Sequence, residues 1–354
     1  MSSERLSALT DWVVKQLGTS NITLNPLTGD ASFRGYYRLH FVDAQLSGLD
    51  AHKTLIVMDA PPPREDCRPF LAISSMFEQH KVRVPHVIAS DVIQGFIILE
   101  DFGDTLLSHV LNDTNVDEKY SQAMNQLINL QHAPALERYP LPTYSDAKLI
   151  DEMNLFDDWF LRKFLVLKPS QEEQQLMMRS FDFLAHQATH QPQVVVHRDY
   201  HCRNLMALAD TSELGIIDFQ DAVIGPITYD LVSLLRDAYV QWPAEQVQEW
   251  LKIYWNRQSA RGYLGKTSLV QLQQWFDWMG AQRHIKVLGI FARLYFRDGK
   301  EGYLQNLPLV LYYLLAETKD HPELAAFHGW LCERVLPAFL VEVPESMSLL
   351  EGYL

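Results

Sequence analysis

Short apolar runs bounded by turn residues dominate the first hundred residues of the chain. Their length and their content of β-branched and aromatic residues predict β-strands, because such side chains pack well on a pleated sheet. The predicted strands are Ile22–Leu27, Tyr36–Val42, Thr54–Met58, Val84–Ala89 and Phe96–Leu99. Apolar residues at helical spacing predict two helices in the same region, Ser7–Leu17 and Cys67–His80.

Helical spacing of apolar residues prevails after this region. Two short apolar runs, Val194–Val196 and Leu214–Ile217, interrupt it and are predicted to be buried strands. A small β-rich part followed by a large, mainly helical part predicts an α+β protein. The main helices predicted for the second part are Tyr120–His132, Leu149–Val166, Glu172–Thr189, Ala244–Arg257 and Leu269–Leu294.

Composition and charge narrow the range of partners. The chain has 354 residues, of which 47% are hydrophobic and 21% charged, as in soluble globular proteins. Its formal net charge of −14 argues against nucleic acid or an anionic membrane surface as the main partner, since both need a basic surface. A small substrate is not excluded, because its pocket can be locally basic. We therefore expect a small-molecule substrate, with no nucleic acid, membrane or obligate protein partner.

Cysteine usage and the longest apolar runs predict the compartment. The three cysteines show neither zinc nor disulfide spacing, which fits the reduced cytosol. Residues 1–17 carry charges throughout and lack the apolar core of a signal peptide. No apolar stretch reaches membrane-spanning length, and the nearest, Leu307–Ala316, is interpreted as a core helix. We expect a soluble, cytoplasmic protein.

The strongest chemical signal surrounds the two buried runs. A His-Arg-Asp sequence ends at Asp199, Asn204 follows five residues later, and Asp218 follows the second run. Phosphoryl transfer needs a carboxylate that accepts the hydroxyl proton and oxygen ligands that hold Mg²⁺ on the nucleotide. The spacing resembles the catalytic loop and metal-binding aspartate of the protein-kinase superfamily. We therefore predict that Asp199 is catalytic, that Asn204 and Asp218 bind Mg²⁺, and that Arg203 steadies the phosphoryl group or the substrate.

A kinase-like protein binds ATP beneath a loop of small residues in its first lobe. The turn between the first two strands takes this place, since its small residues let backbone N–H groups approach phosphate. The third strand departs from kinases, because Met58 or Asp59 stands where a lysine normally holds the phosphates. Either Arg34 or Arg38 substitutes for the lysine, or activity is in doubt; we favour substitution. The loop residues predicted to bind the nucleotide are Gly29, Asp30, Ala31, Ser32, Phe33 and Arg34.

Residues 100–105 form a polar, Gly-containing connector in the place of a kinase hinge. Adenine binds there to backbone groups, so that Glu100 and Phe102 are predicted to lie at the nucleotide while their side chains reveal little. A protein kinase-like fold then predicts a small antiparallel, nucleotide-binding lobe at 1–99, the hinge at 100–105, and a helical lobe with the catalytic loop and substrate site at 106–354.

The acceptor site is predicted from acidic and aromatic residues of the helical lobe. Glu152 and Trp159 lie in the predicted helix 149–166, whose simplest interpretation is an amphipathic helix with an exposed acidic side. Alternatively, the acid and the tryptophan line a pocket, with the indole stacked on a sugar face. Together with Asp157, Asp158 and Asp221, Glu152 would then supply the acidic pocket that a cationic acceptor requires.

A basic stripe on the predicted helix 269–294 and its continuation points to the opposite charge. Arg283, Lys286, Arg293 and Arg297 fall on one side at about 100° per residue. The stripe is either a solvated face paired with acidic neighbours, or it faces the cleft and attracts a phosphate or a carboxylate of the substrate.

These segments resemble the aminoglycoside phosphotransferase and choline kinase family of the kinase-like fold. Within it, the chain is most similar to the bacterial anomeric kinases of N-acetylmuramate and N-acetylglucosamine. The resemblance also accounts for the third strand, where this subgroup carries Met-Asp-Ala-Pro-Pro. The similar stretches are Leu27–Arg34, Val57–Pro62, His197–Met206 and Gln282–Lys300.

The resemblance implies an enzyme that uses ATP and Mg²⁺ to phosphorylate the anomeric hydroxyl of an N-acetylated amino sugar in cell-wall recycling. One alternative is an aminoglycoside or choline-type phosphotransferase, which would need the acidic pocket rather than the basic stripe. Another is a nucleotide-binding pseudokinase without activity, which only the missing lysine supports. A protein kinase is disfavoured, because no Ala-Pro-Glu sequence follows Asp218.

Overall fold

A computed structural model describes residues 3–27, 33–41, 54–62, 64–134, 139–208 and 213–354. The chain forms two compact units. The first contains Met1–Asp113, Ala133–Pro140 and Arg203–Asp221; the second contains Thr114–His132, Leu141–Cys202 and Ala222–Leu354. The first unit therefore includes segments far beyond residue 105. The lobes expected at 1–99 and 106–354 are each continuous in sequence, and their boundaries stay a prediction.

An antiparallel five-stranded sheet belongs to the first unit, with the strand order β1-β2-β3-β5-β4. Its strands are β1 (Ile22–Leu27), β2 (Gly35–Phe41), β3 (Leu55–Asp59), β4 (Val87–Asp91) and β5 (Phe96–Glu100). The five predicted strands are confirmed, and the first has its predicted bounds. In the register, Met58 of β3 pairs with Tyr36 of β2 and with Ile97 of β5.

Two further antiparallel pairs contain the apolar runs near the predicted catalytic residues. They are formed by β6 (Gln193–Val196) with β9 (Val223–Pro226), and by β7 (Leu205–Ala207) with β8 (Leu214–Ile216). The predicted runs become β6 and β8. β6 and β8 do not pair with each other: β6 pairs with β9 and β8 with β7. β6 lies in the second unit, whereas β8 lies in the first.

Three helices belong to the first unit: α1 (Ser3–Leu17), α2 (Arg68–Gln79) and α3 (Leu107–Val110). The apolar face of α1 packs on one face of the sheet, where Leu9 and Val13 join Leu39, Val57 and Ile98 in one buried cluster. The alternation of apolar residues along the strands and the helical period of α1 direct these side chains to the same core.

The second unit is mainly helical, which confirms the predicted α+β class. Its α-helices are α4 (Val116–Gln131), α5 (Asp146–Leu155), α6 (Gln171–Thr189), α7 (Tyr229–Leu235), α8 (Ala244–Ala260), α9 (Leu269–Asp298), α10 (Leu307–Lys319), α11 (Ala325–Trp330), α12 (Leu336–Glu342) and α13 (Met347–Leu350). Two π-helical segments are Phe156–Phe164 and Leu331–Val335, and 3-10 turns lie at Glu301–Asn306, Pro322–Leu324, Pro344–Ser346 and Glu351–Tyr353.

The long helix α9 is buried along its middle and packs against α5, α6, α7, α8, α10 and the π-helical segment 156–164. At Gly289 it passes close to a neighbouring backbone, because a Cβ atom there would lie 2.4 Å from the carbonyl carbon of Leu155. The helix predicted at 149–166 changes from α to π geometry at this same residue. The change from α to π geometry therefore lies where this segment touches the backbone of α9. The helical spacing of apolar residues could not predict this change.

One helical segment, Pro322–Glu342, is long and apolar enough to cross a membrane by length and composition. This is a correction to the expectation that no stretch would reach that length. Core helices of soluble proteins also reach this length and apolar content, and the segment is divided here into 3-10, α and π turns. Phe327, Leu331, Val335 and Phe339 of the segment are fully buried in the second unit.

Candidate active site

Buried carboxylates hold the predicted catalytic loop from the second unit. The backbone N–H groups of His197 and Arg198, just after β6, donate to Asp230 of α7 at 2.6 and 3.0 Å. The backbone N–H of Cys202 donates to Asp237 at 2.9 Å. Burial raises the pKa of Asp230 to about 6, so this carboxylate is charged at neutral pH but titrates just below it. Arg198 has a φ of 80°, a strained conformation that these two hydrogen bonds help to maintain.

Asp199 projects from this loop with about half of its side chain exposed. The guanidinium of Arg283, on α9, lies 3.9 Å from its Oδ1 atom and also donates to the carbonyl of Arg198 at 2.9 Å. Burial raises the pKa of Asp199, but the positive charges of Lys286 and then Arg283 outweigh it and lower the pKa to about 2. The carboxylate is therefore ionised and able to accept a hydrogen bond throughout the physiological range.

A buried polar cluster connects α5 and α9 with the loop. We call Glu152, Arg198, Lys286, Tyr144 and Tyr229 the Glu152 cluster. Arg198 donates to one oxygen of Glu152 at 2.7 Å, and Lys286 lies 3.0 Å from the other. Lys286 also donates to the hydroxyl of Tyr229 at 2.9 Å and to that of Tyr144 at 3.3 Å. Burial raises the pKa of Glu152, but Lys286 and Arg198 outweigh it, and the net change is a lower pKa.

This cluster corrects two interpretations of the helical pattern. Glu152 does not belong to an exposed acidic side, because it is 7% exposed and paired with two cations. Arg283 and Lys286 are likewise buried, so this half of the basic stripe is not a solvated face. Arg297, at the other end of the stripe, is exposed and pairs with the adjacent Asp298.

The remaining residues of the second unit that were predicted to bind the acceptor, Trp159 and Arg293, lie outside the Glu152 cluster. Trp159 is half-buried in the π-helical segment. Arg293 is partly buried, and its Nε atom has no hydrogen-bond partner among the residues that the structure describes. Both positions stay predictions for the acceptor site.

Asn204 and Asp218, the predicted metal ligands, both belong to the first unit. The N–H of Ile217 donates to the backbone carbonyl of Asn204 at 3.1 Å, so the segments that carry the two residues are adjacent. Asp218 is exposed and has a φ of 64°, a left-handed conformation that is uncommon outside glycine and asparagine. The chain turns sharply there, and the following Phe219 is fully buried, stacked on Phe70 with ring centroids 4.8 Å apart.

The neighbours of these ligands complete the loop in the first unit. Gln220 donates to Asp218 at 2.8 Å and to Asp221 at 3.4 Å. Asp221 itself is exposed, and Arg203, just before Asn204, is partly exposed. These observations leave the predicted roles of Arg203 and Asp221 open.

Of the predicted nucleotide loop, Gly29, Asp30, Ala31 and Ser32 lie outside the described residues. Phe33 is exposed, and Arg34 pairs with Glu65 at 3.2 Å. Burial raises the pKa of the nearby Tyr36, while the charge of Arg34 lowers it and that of Asp218 raises it. Arg34 and Asp218 thus both lie near the hydroxyl group of Tyr36, and the role of Arg34 at the phosphates stays a prediction.

Arg38, the other candidate for this role, is bound elsewhere. Its Nε atom donates to Asp101 at 2.7 Å, and its Nη1 and Nη2 atoms both donate to Asp104 at 2.8 Å. Asp59, in the place of the kinase lysine, is 3% exposed and accepts a hydrogen bond from Nε of Arg5 at 2.9 Å. Arg38 is therefore held by two carboxylates and Arg34 by one, and a role at the phosphates stays a prediction for both.

Of the predicted hinge residues, Glu100 pairs with Arg83 and Phe102 packs against β8. Glu100 is paired with Arg83 at 2.5 Å, and the guanidinium of Arg83 lies 4.7 Å from the ring centre of Phe102. On β8, a Cβ atom at Gly215 would lie 2.4 Å from this ring. Glycine at this position therefore lets the ring of Phe102 pack directly on the strand.

A model of the phosphotransferase enzyme family matches residues 23–263 of the chain. The chain belongs to this family. An N-acetylmuramate/N-acetylglucosamine kinase of Pseudomonas putida is 38% identical over 339 residues, which are 93% of this chain and 96% of that protein. Proteins of the same name from Pseudomonas aeruginosa and Neisseria meningitidis are 40% and 36% identical, over 85% and 94% of this chain and 86% and 96% of their own lengths.

Solved structures agree with this family assignment at the level of the fold. The ADP-bound aminoglycoside phosphotransferase APH(2'')-Ib superposes with a TM-score of 0.56 at 14% identity, covering 88% of this chain and 97% of that one. Choline kinase LicA of Streptococcus pneumoniae gives a TM-score of 0.55 at 12% identity, covering 89% and 100%. The predicted kinase-like fold and family resemblance are confirmed, and the chain is a phosphotransferase.

Several residues of this phosphotransferase site were missed at the sequence level. Asp230, which holds the predicted catalytic loop, and Tyr144 and Tyr229 of the Glu152 cluster are not among the residues predicted from the sequence. One signal was present for Asp230, because a carboxylate flanked by apolar residues within a helix predicts a buried acid that needs partners. The tyrosines carried no such signal, since aromatic residues are common in any core.

Proposed function

We propose that this phosphotransferase transfers the γ-phosphoryl group of ATP to the anomeric hydroxyl of N-acetylmuramate or N-acetylglucosamine, in the cytoplasm and with Mg²⁺. The observation that carries the proposal is the identity of 36–40%, over most of the chain, to proteins named as kinases of these two sugars. A role in the recycling of cell-wall amino sugars accords with those names.

The surroundings of Asp199 support an acceptor hydroxyl at this residue. The carboxylate is half exposed, ionised and steadied from the side by Arg283 at 3.9 Å. It orients the hydroxyl by accepting its hydrogen bond. As the sugar oxygen bonds to phosphorus and the bond to the ADP oxygen breaks, Asp199 takes the proton. Asp230 and Asp237 hold the loop in place during this step through its backbone N–H groups.

Asn204 and Asp218 suit Mg²⁺ by the chemistry of their donors, since this cation prefers oxygen ligands and uses few protein groups when it binds with nucleotide phosphates. The left-handed turn at Asp218 leaves its carboxylate exposed while the next residue is buried, which is consistent with a ligand role. Within the described residues no group of three His, Cys, Asp or Glu side chains forms a metal cage, and a nucleotide-associated Mg²⁺ does not require one. When bound, the cation neutralises phosphate charge. Arg34 adds a further positive charge at the phosphates.

The two alternatives receive less support from the described residues. An acceptor with a positive charge needs an acidic pocket, but Glu152 is neutralised by two cations and Asp157 is paired with Arg162 at 2.9 Å. A pseudokinase was suggested by the missing lysine, but Arg34 offers a substitute, and the relatives at 36–40% identity are named kinases.

A panel of acceptors tests the proposal. ADP release is measured with ATP, Mg²⁺ and either N-acetylmuramate, N-acetylglucosamine, choline or kanamycin, and the phosphorylated position is assigned by ³¹P NMR. We expect turnover with the two sugars only, a sugar 1-phosphate as product, and no turnover after Mg²⁺ is chelated. Turnover with kanamycin or choline alone would show that the acceptor is wrong, and ATP binding without turnover of any acceptor would favour the pseudokinase.

A further inference from the structure

The charged groups that act most strongly on Asp199 come from α9. Lys286 and Arg283 are both nearly buried, and both pKa values are raised despite burial, so each remains protonated. Arg283 is the closer of the two, with its guanidinium 3.9 Å from Asp199. A cation of this kind cannot turn away into solvent, because the carbonyl of Arg198 and the hydroxyl of Tyr229 also bind it, at 2.9 and 3.3 Å.

The other carboxylates of this region are occupied. Glu152 is shared between Arg198 and Lys286, so a single negative charge faces two positive ones. Asp230 accepts two backbone N–H groups behind the loop and is fully buried. Among the described residues of the second unit, the carboxylate that faces outward next to these cations is Asp199 itself, which is half exposed.

We propose that Arg283 and Lys286 make the acceptor site selective for charge, so that it favours a sugar that carries a carboxylate over the same sugar without the charge. The proposal rests on the proposed function, because it takes the acceptor hydroxyl to bind at Asp199. An acceptor that contacts Asp199 lies within a few ångströms of Arg283. Because both cations are nearly buried, water screens their charges less than it screens those of exposed side chains.

Two variants that change the charge of the site in opposite directions test this proposal. Lys286→Met removes a positive charge, Glu152→Gln removes a negative one, and the double variant removes both. Each is assayed with N-acetylmuramate and with its methyl ester, which differ in charge while sharing the same ring and hydroxyl. The measured quantity is the ratio of kcat/KM for the acid to kcat/KM for the ester.

We expect the wild type to prefer the acid. For one unit charge at about 10 Å, the ratio should fall about tenfold in Lys286→Met and rise about tenfold in Glu152→Gln. The double variant should return towards the wild-type ratio. General damage to the site lowers kcat/KM for both substrates together and leaves their ratio unchanged. Shifts of the ratio in opposite directions therefore cannot arise from such damage. Arg297→Met, on the exposed end of the same stripe, is the matched control and should leave the ratio unchanged.

Three results would overturn the proposal: a wild type that prefers the ester, a ratio that stays within twofold in the folded single variants, or shifts of the same sign in both. If Lys286→Met does not fold, Glu152→Gln and the double variant carry the test. N-acetylglucosamine distinguishes a failure of the charge selectivity from a failure of the proposed function. Turnover of this sugar with an unchanged ratio refutes the charge selectivity alone, whereas no turnover of either sugar refutes the proposed function, and the selectivity with it.

Discussion

The ammonium group of Lys286 lies 3.0 Å from Oε2 of Glu152, and both side chains are nearly buried. Because Arg198 binds the other oxygen of Glu152, this one carboxylate joins α5, α9 and the predicted catalytic loop. A cluster of this kind positions groups more than it stabilises the fold, because burial of the charges offsets much of their mutual attraction. Removing one partner is costly, however, since the remaining charges stay buried.

Glu152→Ala is therefore expected to lower the free energy of unfolding by about 3–5 kcal/mol, because two buried cations lose their carboxylate. Urea denaturation monitored by circular dichroism measures this change. The control is Glu249→Ala, which removes an exposed carboxylate 3.9 Å from Lys252 and should cost less than about 1 kcal/mol. Equal losses in the two variants would contradict the role of the cluster.

Asp199→Asn should lower kcat by roughly 10²–10⁴-fold, because the amide can neither take the proton nor orient the hydroxyl as a carboxylate does. ATP affinity and the unfolding midpoint should stay close to wild type, since the side chain is half exposed. Asp182→Asn, at an exposed position of α6, serves as the control. Activity of Asp199→Asn near the wild-type level would exclude Asp199 as the catalytic residue.

Asp218→Asn should reduce kcat/KM by at least about a hundredfold, through the loss of a metal ligand. Asparagine is the suitable replacement, because it tolerates the left-handed conformation that alanine would strain. Raising the Mg²⁺ concentration should restore part of the activity. Asp66→Asn, an exposed acid of the first unit paired with Arg68, should behave as wild type at every Mg²⁺ concentration.

Asp230 should make stability depend on pH in a defined direction. Its pKa of about 6 lies above the ordinary value of 3.8, so folding favours the protonated form. The contribution is fully present below pH 4 and is lost as the pH rises through 6, a change of about 3 kcal/mol. Asp230→Asn cannot titrate, and the wild type should therefore lose stability relative to this variant between pH 4 and pH 7. A difference in unfolding free energy that is constant with pH would contradict the raised pKa.

Gly289→Ala should destabilise the protein by about 1–3 kcal/mol, because the new methyl group meets the backbone of Leu155. The KM for the acceptor should also rise, since α5 and the π-helical segment carry Glu152 and Trp159. At Gly329, in α11, a Cβ atom meets nothing within 4 Å. Gly329→Ala should therefore leave both quantities unchanged or slightly raise stability.

The sequence predicted the local features of the fold and the chemistry of the catalytic segment. β1 has the predicted bounds, and the five strands of the sheet appear where apolar runs of strand length stand between turn residues. The family resemblance rests on short stretches such as His197–Met206, in which the identity and order of the residues carry the information. These are properties of contiguous chain, which a pattern can report.

Only the tertiary structure decided which charged side chains are buried. Arg283, Lys286 and Arg297 share one side of α9 and are equivalent in the helical pattern, yet the first two are buried and the third is exposed. Helical periodicity gives the direction in which a side chain points, but the element that covers it comes from elsewhere in the chain. The same holds for Glu152, whose partners lie 46 and 134 residues away. For this protein, the sequence determined the reaction, and the packing around α9 decided the charges that surround it.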